Sequence, residues 1–243
     1  MTLATTLRIC DILPATPRAK LVRLCADPFP YSPGQAVLVG KPGSPIRRAY
    51  SIACAPEEVS TNGWIELLVG VDPSGFAGPH FTLETGALVE VEGPHGTLTC
   101  PCHAASGPLV FVAGGNGIAP LRAVLRHAIY AHASKLVLLY SARSPEAFAF
   151  QSELEALQRT AQLTLYQTVT RSGADCWHGA RGRLRTSDLV ELGGDSAATW
   201  LVSGPAAFVV SVMGMLGDIG VAPEKIRFER GIEAPPAAVR CAR

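Results

Sequence analysis

The rhythm of apolar residues changes once along this chain, around HAASGP at 103–108, and that change restricts what the chain can fold into. Before it the runs are short and strand-like: TLRICDIL, AKLVRLCAD, QAVLVGK, RAYSIAC, WIELLVGV and ALVEVEG. Turn signals such as SPG, KPGSP, TNG and DPSG separate them. Many short strands at this spacing predict an antiparallel barrel or sandwich. Only the stretch 76–84 of this half predicts a short helix. After the change, apolar strands (PLVFVAG, KLVLLYSA, LTLYQTV, ATWLVSG) stand among helical patterns (LRAVLRHAIYAH, PEAFAFQSELEALQ, AAFVVSVMGMLGDIG), and KIRFERG closes the series. Such alternation predicts a parallel sheet with helices on both faces. The expected organisation is two domains, an antiparallel β-barrel or sandwich over 1–103 and an α/β Rossmann-like domain over 108–243. A chain of 243 residues is long enough for two cores.

The hinge of the second pattern is Gly114-Gly115-Asn116-Gly117-Ile118-Ala119-Pro120. If PLVFVA is the first parallel strand, these residues sit at its carboxyl end, where open α/β sheets bind ligands. Glycine permits positive φ and close approach of a ligand to the backbone. Pro120 fits the first turn of a following helix, and the free N–H groups there favour an anion such as a diphosphate. The spacing is neither the G-x-G-x-x-G fingerprint nor a P-loop, since Pro120 replaces the last Gly and no Lys-Ser/Thr follows. In the first half, Arg48-Ala49-Tyr50-Ser51 ends a strand-like run. Arg grips phosphate, and a Tyr two residues on shares its strand face and is placed to stack on a flat ring. Ser51 beside it is placed to hydrogen-bond a ring nitrogen.

Several classes are disfavoured. A formal net charge of +1 gives no footprint for nucleic acid. The apolar runs are too short to span a bilayer, and the N-terminus lacks a signal-peptide core, so the expected location is cytoplasmic. Seven cysteines, at 10, 25, 54, 100, 102, 176 and 241, show no paired spacing for a disulfide framework or an iron–sulfur cluster. The six histidines are not spaced as a metal site, so no metal is expected.

Together these segments resemble the ferredoxin–NADP reductase family in its wide sense, which includes oxygenase reductases. Ser32-Pro33-Gly34-Gln35 resembles the family's turn before a barrel strand, and Gly93-Pro94-His95-Gly96 its turn near the barrel's end. Arg48 to Ser51 resembles the flavin motif, and Gly114 to Pro120 the loop for the nicotinamide dinucleotide. Ser203-Gly204-Pro205 resembles the Cys-Gly-Pro loop, and Phe228-Glu229 the acidic end of the terminal strand. The resemblance implies a Greek-key flavin barrel followed by a pyridine-nucleotide domain. It implies that Arg48 binds flavin phosphate, that Tyr50 packs on the isoalloxazine and that Ser51 faces N5, with Ser51, Ser203 and Glu229 as the catalytic group. Gly75-Phe76-Ala77-Gly78 stands at the second flavin-phosphate segment without its usual hydroxyl, so FAD is implied and FMN is possible. Asn116, Ser203 and Gly231 replace the family's usual Thr or Val, Cys and aromatic residue.

Arg143, Arg171 and Arg183 follow strand ends or the loop beyond them. If those ends share one sheet edge, the three guanidinium groups converge on a 2′-phosphate and favour NADPH over NADH. The expected function is an FAD-dependent NAD(P)H reductase. It would pass electrons to a separate acceptor: a ferredoxin, a flavodoxin or an oxygenase component. The alternative is a non-catalytic flavin-binding electron-transfer subunit of a larger complex, resembling the dihydroorotate dehydrogenase electron-transfer chain.

Overall fold

The computed structural model describes residues 3–26, 28–99, 107–133, 135–171, 177–194 and 197–229. Gly231, His103 and the cysteines at 100, 102, 176 and 241 lie outside these residues, as does the end of the KIRFERG run.

Six strands build the first half: β1 (Leu3–Thr16), β2 (Ala19–Cys25), β3 (Ala36–Gly40), β4 (Arg47–Ser51), β5 (Trp64–Gly70) and β6 (Leu88–His95). Each coincides with one of the predicted runs. They form one antiparallel sheet in the order β4-β3-β6-β1-β2-β5, so β6 returns to lie between β1 and β3. An antiparallel bridge from Ile52 to Leu67 joins the two ends of that order and closes the barrel. Alternate residues, such as Val22 and Leu24 of β2 and Val89 and Val91 of β6, fill its interior.

The predicted helix at 76–84 does not form; the segment is turns and irregular chain. Gly75 and Gly78 adopt φ of 87° and 121°, outside the helical region, and Pro79 follows. The helix of this half lies instead at α1 (Pro56–Asn62). Pro56 opens it, and the Glu58 carboxylate accepts the Ala55 N–H at 2.8 Å. Gly63 then ends it in the left-handed region at φ 77°. Proline at the start and glycine past the end is the usual polarity of a short helix.

The second half is a parallel sheet of β7 (Leu109–Gly114), β8 (Leu136–Ala142), β9 (Thr164–Val169), β10 (Ala180–Arg181), β11 (Thr199–Ser203) and β12 (Ile226–Phe228). Their order is β10-β9-β8-β7-β11-β12, all parallel. β7 and β8 are buried along their whole length because helices cover both faces. On one face Leu109, Phe111 and Ala113 meet α2 (Ile118–Tyr130) and α3 (Gln151–Arg159). On the other, Val110 and Val112 meet α4 (Thr186–Gly193) and α5 (Ala206–Asp218). The PEAFAFQSELEALQ run is not one helix. Phe148 is drawn under the sheet against Tyr140 (centroids 4.9 Å apart), whose hydroxyl accepts the Ala149 N–H at 3.1 Å. A 3-10 turn at Pro145–Ala147 precedes this, Phe150 turns at φ 60°, and α3 starts only at Gln151. α4 and β10 are additions to the predicted elements.

The two halves share apolar contacts. Ala53, Leu68 and Leu98 of the barrel belong to the same cluster as Leu121, Val124 and Leu125 of α2.

Candidate active site at the domain seam

The strand order reverses at β7, with β8 on one side and β11 on the other. Ligands of open α/β sheets bind at such a switch point, above the carboxyl ends. The loops meeting there are Gly114 to Gly117 and Ser203 to Pro205. Gly115–Gly117 form a 3-10 turn that runs directly into α2, placing Ile118, Ala119 and Pro120 in its first turn.

The glycines divide by purpose. A Cβ at Gly117 would overlap the Ser203 carbonyl and the Gly204 N–H, and one at Gly114 would lie 2.8 Å from the Phe208 ring. Gly204 likewise faces Phe208 and Gly114. These three are bare so that the two loops can pack on each other. Gly115 differs: it has φ 53°, and a Cβ there would enter open space. Its backbone is the one available to a ligand. Ser203 is buried beneath this junction, and Pro205 immediately precedes α5.

Barrel residues reach the same edge. Arg48 and Tyr50 pair with Val39 and Val37 of β3, so they occupy the same side of β4. Arg48 is exposed and has no carboxylate partner among the described residues. Ala49 and Ser51 are half-buried. Tyr50 is 7% exposed and its hydroxyl lies 2.8 Å from His80 Nε2. Burial, opposed by Arg48, pushes the Tyr50 hydroxyl up to about 12. Burial, then Arg48 and Lys41, push the His80 imidazole down, toward its neutral form. The Gly75–Gly78 segment connects to this pair, since a Cβ at Gly78 would sit 2.9 Å from the His80 ring. Asp72 shapes that segment by accepting the N–H groups of Ser74 (2.8 Å) and Phe76 (3.0 Å), which leaves Phe76 exposed and Ala77 buried.

Across the seam the Ser51 hydroxyl donates to Glu229 Oε2 at 3.4 Å. The two residues are 178 positions apart in sequence. Burial pushes the Glu229 carboxyl above its ordinary range, and the Ser51 hydroxyl offsets this in part. A cavity of about 490 Å³ opens beside them, lined by Gly96, Thr97 and the 226–229 segment.

A second cavity, of about 360 Å³, lies at the carboxyl ends of β8 and β9. Arg143, Arg171 and Arg183 all line it, with Ser141, Thr170 and Phe208. The backbone brings them there: the Arg171 N–H donates to the Arg143 carbonyl at 3.0 Å, and the Gly182 N–H to the Val169 carbonyl at 2.8 Å. None of the three arginines pairs with a carboxylate among the described residues.

Residues that sequence reasoning missed are His80, which holds Tyr50, and Arg122 of α2. Arg122 lies on the apolar side of α2 with Ile118, Leu121 and Leu125. An arginine within that spacing was the available signal. Nothing local marks His80.

A closed antiparallel barrel joined to a parallel sheet, with a free arginine on one and a glycine loop on the other, defines the class of two-domain flavin and pyridine-nucleotide reductases. The oxidoreductase NAD-binding domain family matches residues 111–213. The chain is 33% identical to ferredoxin–NADP reductase B of Sorangium cellulosum (strain So ce56) over 214 residues, covering 83% of this chain and 86% of that protein. It therefore belongs to the ferredoxin–NADP reductase family of oxidoreductases. Its fold matches the crystal structure of Amycolatopsis cytochrome P450 reductase GcoB with a TM-score of 0.82 and 25% identity, over 96% of this chain and 71% of that one. It also matches a Neisseria gonorrhoeae ferredoxin NADP+ reductase with bound FAD and NADP, with a TM-score of 0.77 and 19% identity, over 93% and 97% of the two chains. Other relatives are longer, and this chain covers 41%, 32% and 39% of three of them. Several are reductase components of dioxygenase or monooxygenase systems.

Proposed function

We propose that this chain is an FAD-dependent NAD(P)H reductase that passes electrons to a separate carrier protein or oxygenase component, with NADPH as its preferred donor. The observation that carries the reading is the meeting of Ser51 and Glu229 across the seam. There the end of the flavin-motif strand and the edge of the nucleotide sheet share one site. In this reading residues 1–103 form the flavin domain and 108–243 the nucleotide domain.

The residues present fit a flavin. Arg48 offers an unpaired guanidinium for phosphate, and a Cβ at Gly75 would meet open space, so that backbone is approachable. Tyr50, fixed by His80, provides an aromatic wall. When bound, the flavin supplies a two-electron acceptor for hydride and returns the electrons singly to a partner. The protein's part is positioning. Gly115 and the α2 N-terminus hold the diphosphate of the incoming dinucleotide through backbone N–H groups. The three arginines hold its 2′-phosphate through charge-assisted bonds. Ser51 and Ser203 orient the reacting rings, and Glu229, whose carboxyl burial pushes upward, accepts the Ser51 hydroxyl. Bringing two rings into contact in one geometry supplies much of the rate.

No helix among the described residues is long and apolar enough to cross a membrane. We place the protein in the cytoplasm, consistent with free cysteines at 10, 25 and 54.

Two variants test the assignment. Arg48→Ala is expected to be purified with little flavin; full flavin content would remove that role. Arg171→Ala combined with Arg183→Ala is expected to lower the NADPH/NADH ratio of kcat/KM by about 10²-fold, as for loss of two charge-assisted contacts. An unchanged ratio would reject the 2′-phosphate clamp.

A further inference from the structure

An ion-pair network that the reaction itself does not use crosses the seam from the first turns of α2. Arg122 is its centre. Nη1 donates to the Ala53 carbonyl at 2.6 Å and to Glu66 Oε1 at 2.9 Å, both in the barrel. Nε and Nη2 reach Glu153 Oε2 of α3 at 2.8 and 2.7 Å, and the guanidinium lies 4.5 Å over the Phe150 ring. One helical turn on, Arg126 reaches Glu58 Oε1 of α1 at 2.7 Å and Glu153 Oε1 at 3.7 Å. His127 Nδ1 lies 2.7 Å from Glu57 Oε1. Arg23 of β2 holds the second oxygen of Glu66 at 3.0 Å. The barrel thus contributes four acceptors to one helix of the nucleotide half.

The placement is what matters. Arg122 lies five residues after Gly117, at which α2 leaves the loop. Ala53 lies two residues after Ser51, on the same extended run. One rigid guanidinium therefore links the helix that carries the nucleotide loop to the strand end that carries Ser51. The loop itself also comes close to the barrel, the Asn116 amide lying 3.3 Å from where a Cβ of Gly70 would be. A charge this deeply buried is costly unless every partner is in place. The network therefore tolerates one arrangement of the two halves and penalises neighbouring ones. Plain apolar contact, as between Val124 and Leu98, has no such directional demand.

We propose that Arg122 is a positioning residue for hydride transfer, setting the distance between the nucleotide loop and the Ser51 strand end. The proposal rests on the reductase reading of the same site. It touches neither ring nor phosphate; it acts through α2 and β4.

The test uses the full chain with Arg122→Met and Glu66→Gln combined, which removes the guanidinium and the buried Glu66 charge and leaves Glu153 with Arg126 as its partner. Flavin content and the affinity for adenosine 2′,5′-bisphosphate are expected to stay within about 2-fold of wild type, since both are held within one half. Anaerobic reduction by NADPH in stopped flow is expected to slow by about 10²-fold, the usual cost of ångström-scale misplacement. The long-wavelength charge-transfer absorbance on mixing is expected to weaken, and thermal unfolding to split from one transition into two. Wild-type reduction rate with a single transition would overturn the proposal. If the double variant does not fold, Arg122→Lys keeps the charge and loses the fork, and a wild-type rate in that variant overturns the proposal equally. A wild-type protein that holds no flavin would instead refute the reductase reading, and the unfolding profile would still decide whether Arg122 fixes the two halves together.

Discussion

At the scale of single residues the nucleotide loop separates two kinds of glycine. Gly117 is bare because the Ser203 carbonyl occupies the place of its side chain. Gly117→Ala must push two loops apart, at about 1–3 kcal/mol by analogy with overpacked cores. A drop in the midpoint of chemical denaturation checks this. Gly115 meets nothing and bears only a positive φ. Gly115→Ala should cost about 1–2 kcal/mol of stability yet weaken NADPH binding more than Gly117→Ala does, because its methyl would face the ligand. Titration calorimetry on both variants separates the two effects. Glu229 gives a pH signature. Burial raises its folded pKa above the unfolded value, with Ser51 opposing. The folded state thus holds the proton more tightly, and the stability this contributes is complete below the ordinary carboxylate range and is lost as pH rises through the folded value. Glu229→Gln removes that loss. Its Tm should match wild type near pH 4 and exceed it by a few degrees near pH 8. A Tm difference that does not change with pH would contradict the assignment.

At the scale of elements, α1 shows how a short helix serves the interface. Glu58 caps the helix with one carboxylate oxygen and holds Arg126 with the other. Glu58→Ala should destabilise the protein by about 1–3 kcal/mol, combining a lost cap with the loss of the nearer of Arg126's two carboxylates. Urea denaturation measures it. This element also shows where sequence reading stops. Eleven of the twelve strands among the described residues announce themselves through period-two alternation or buried apolar runs, and α2 and α5 through helical spacing; the two-residue β10 is the exception. α1 carried its Pro and Gly signals, but seven residues hold little periodicity. The stretch 76–84 spaces Phe76, His80 and Leu83 like a helix, while Gly78 and Pro79 override the pattern. The convergence of Arg143, Arg171 and Arg183 on one cavity was legible because strand order puts their loops on one edge. The Tyr50–His80 and Arg122–Glu66 pairs were not, since partners 30 and 56 residues apart meet only through tertiary packing.

At the scale of the whole molecule, neither half completes the proposed site. The barrel supplies Arg48, Tyr50 and Ser51, and the parallel sheet supplies Gly115, the arginine cavity and Glu229. A shared apolar cluster and the Arg122 network hold the two together. The central claim is that this seam brings a reduced nicotinamide against a flavin bound by the barrel. Anaerobic mixing of the purified protein with NADPH, followed at the flavin absorbance and without any partner, tests it most directly. The account predicts a yellow protein that bleaches within a single turnover, faster with NADPH than with NADH. A protein that takes up no FAD, or a yellow one that neither nicotinamide bleaches, would contradict it.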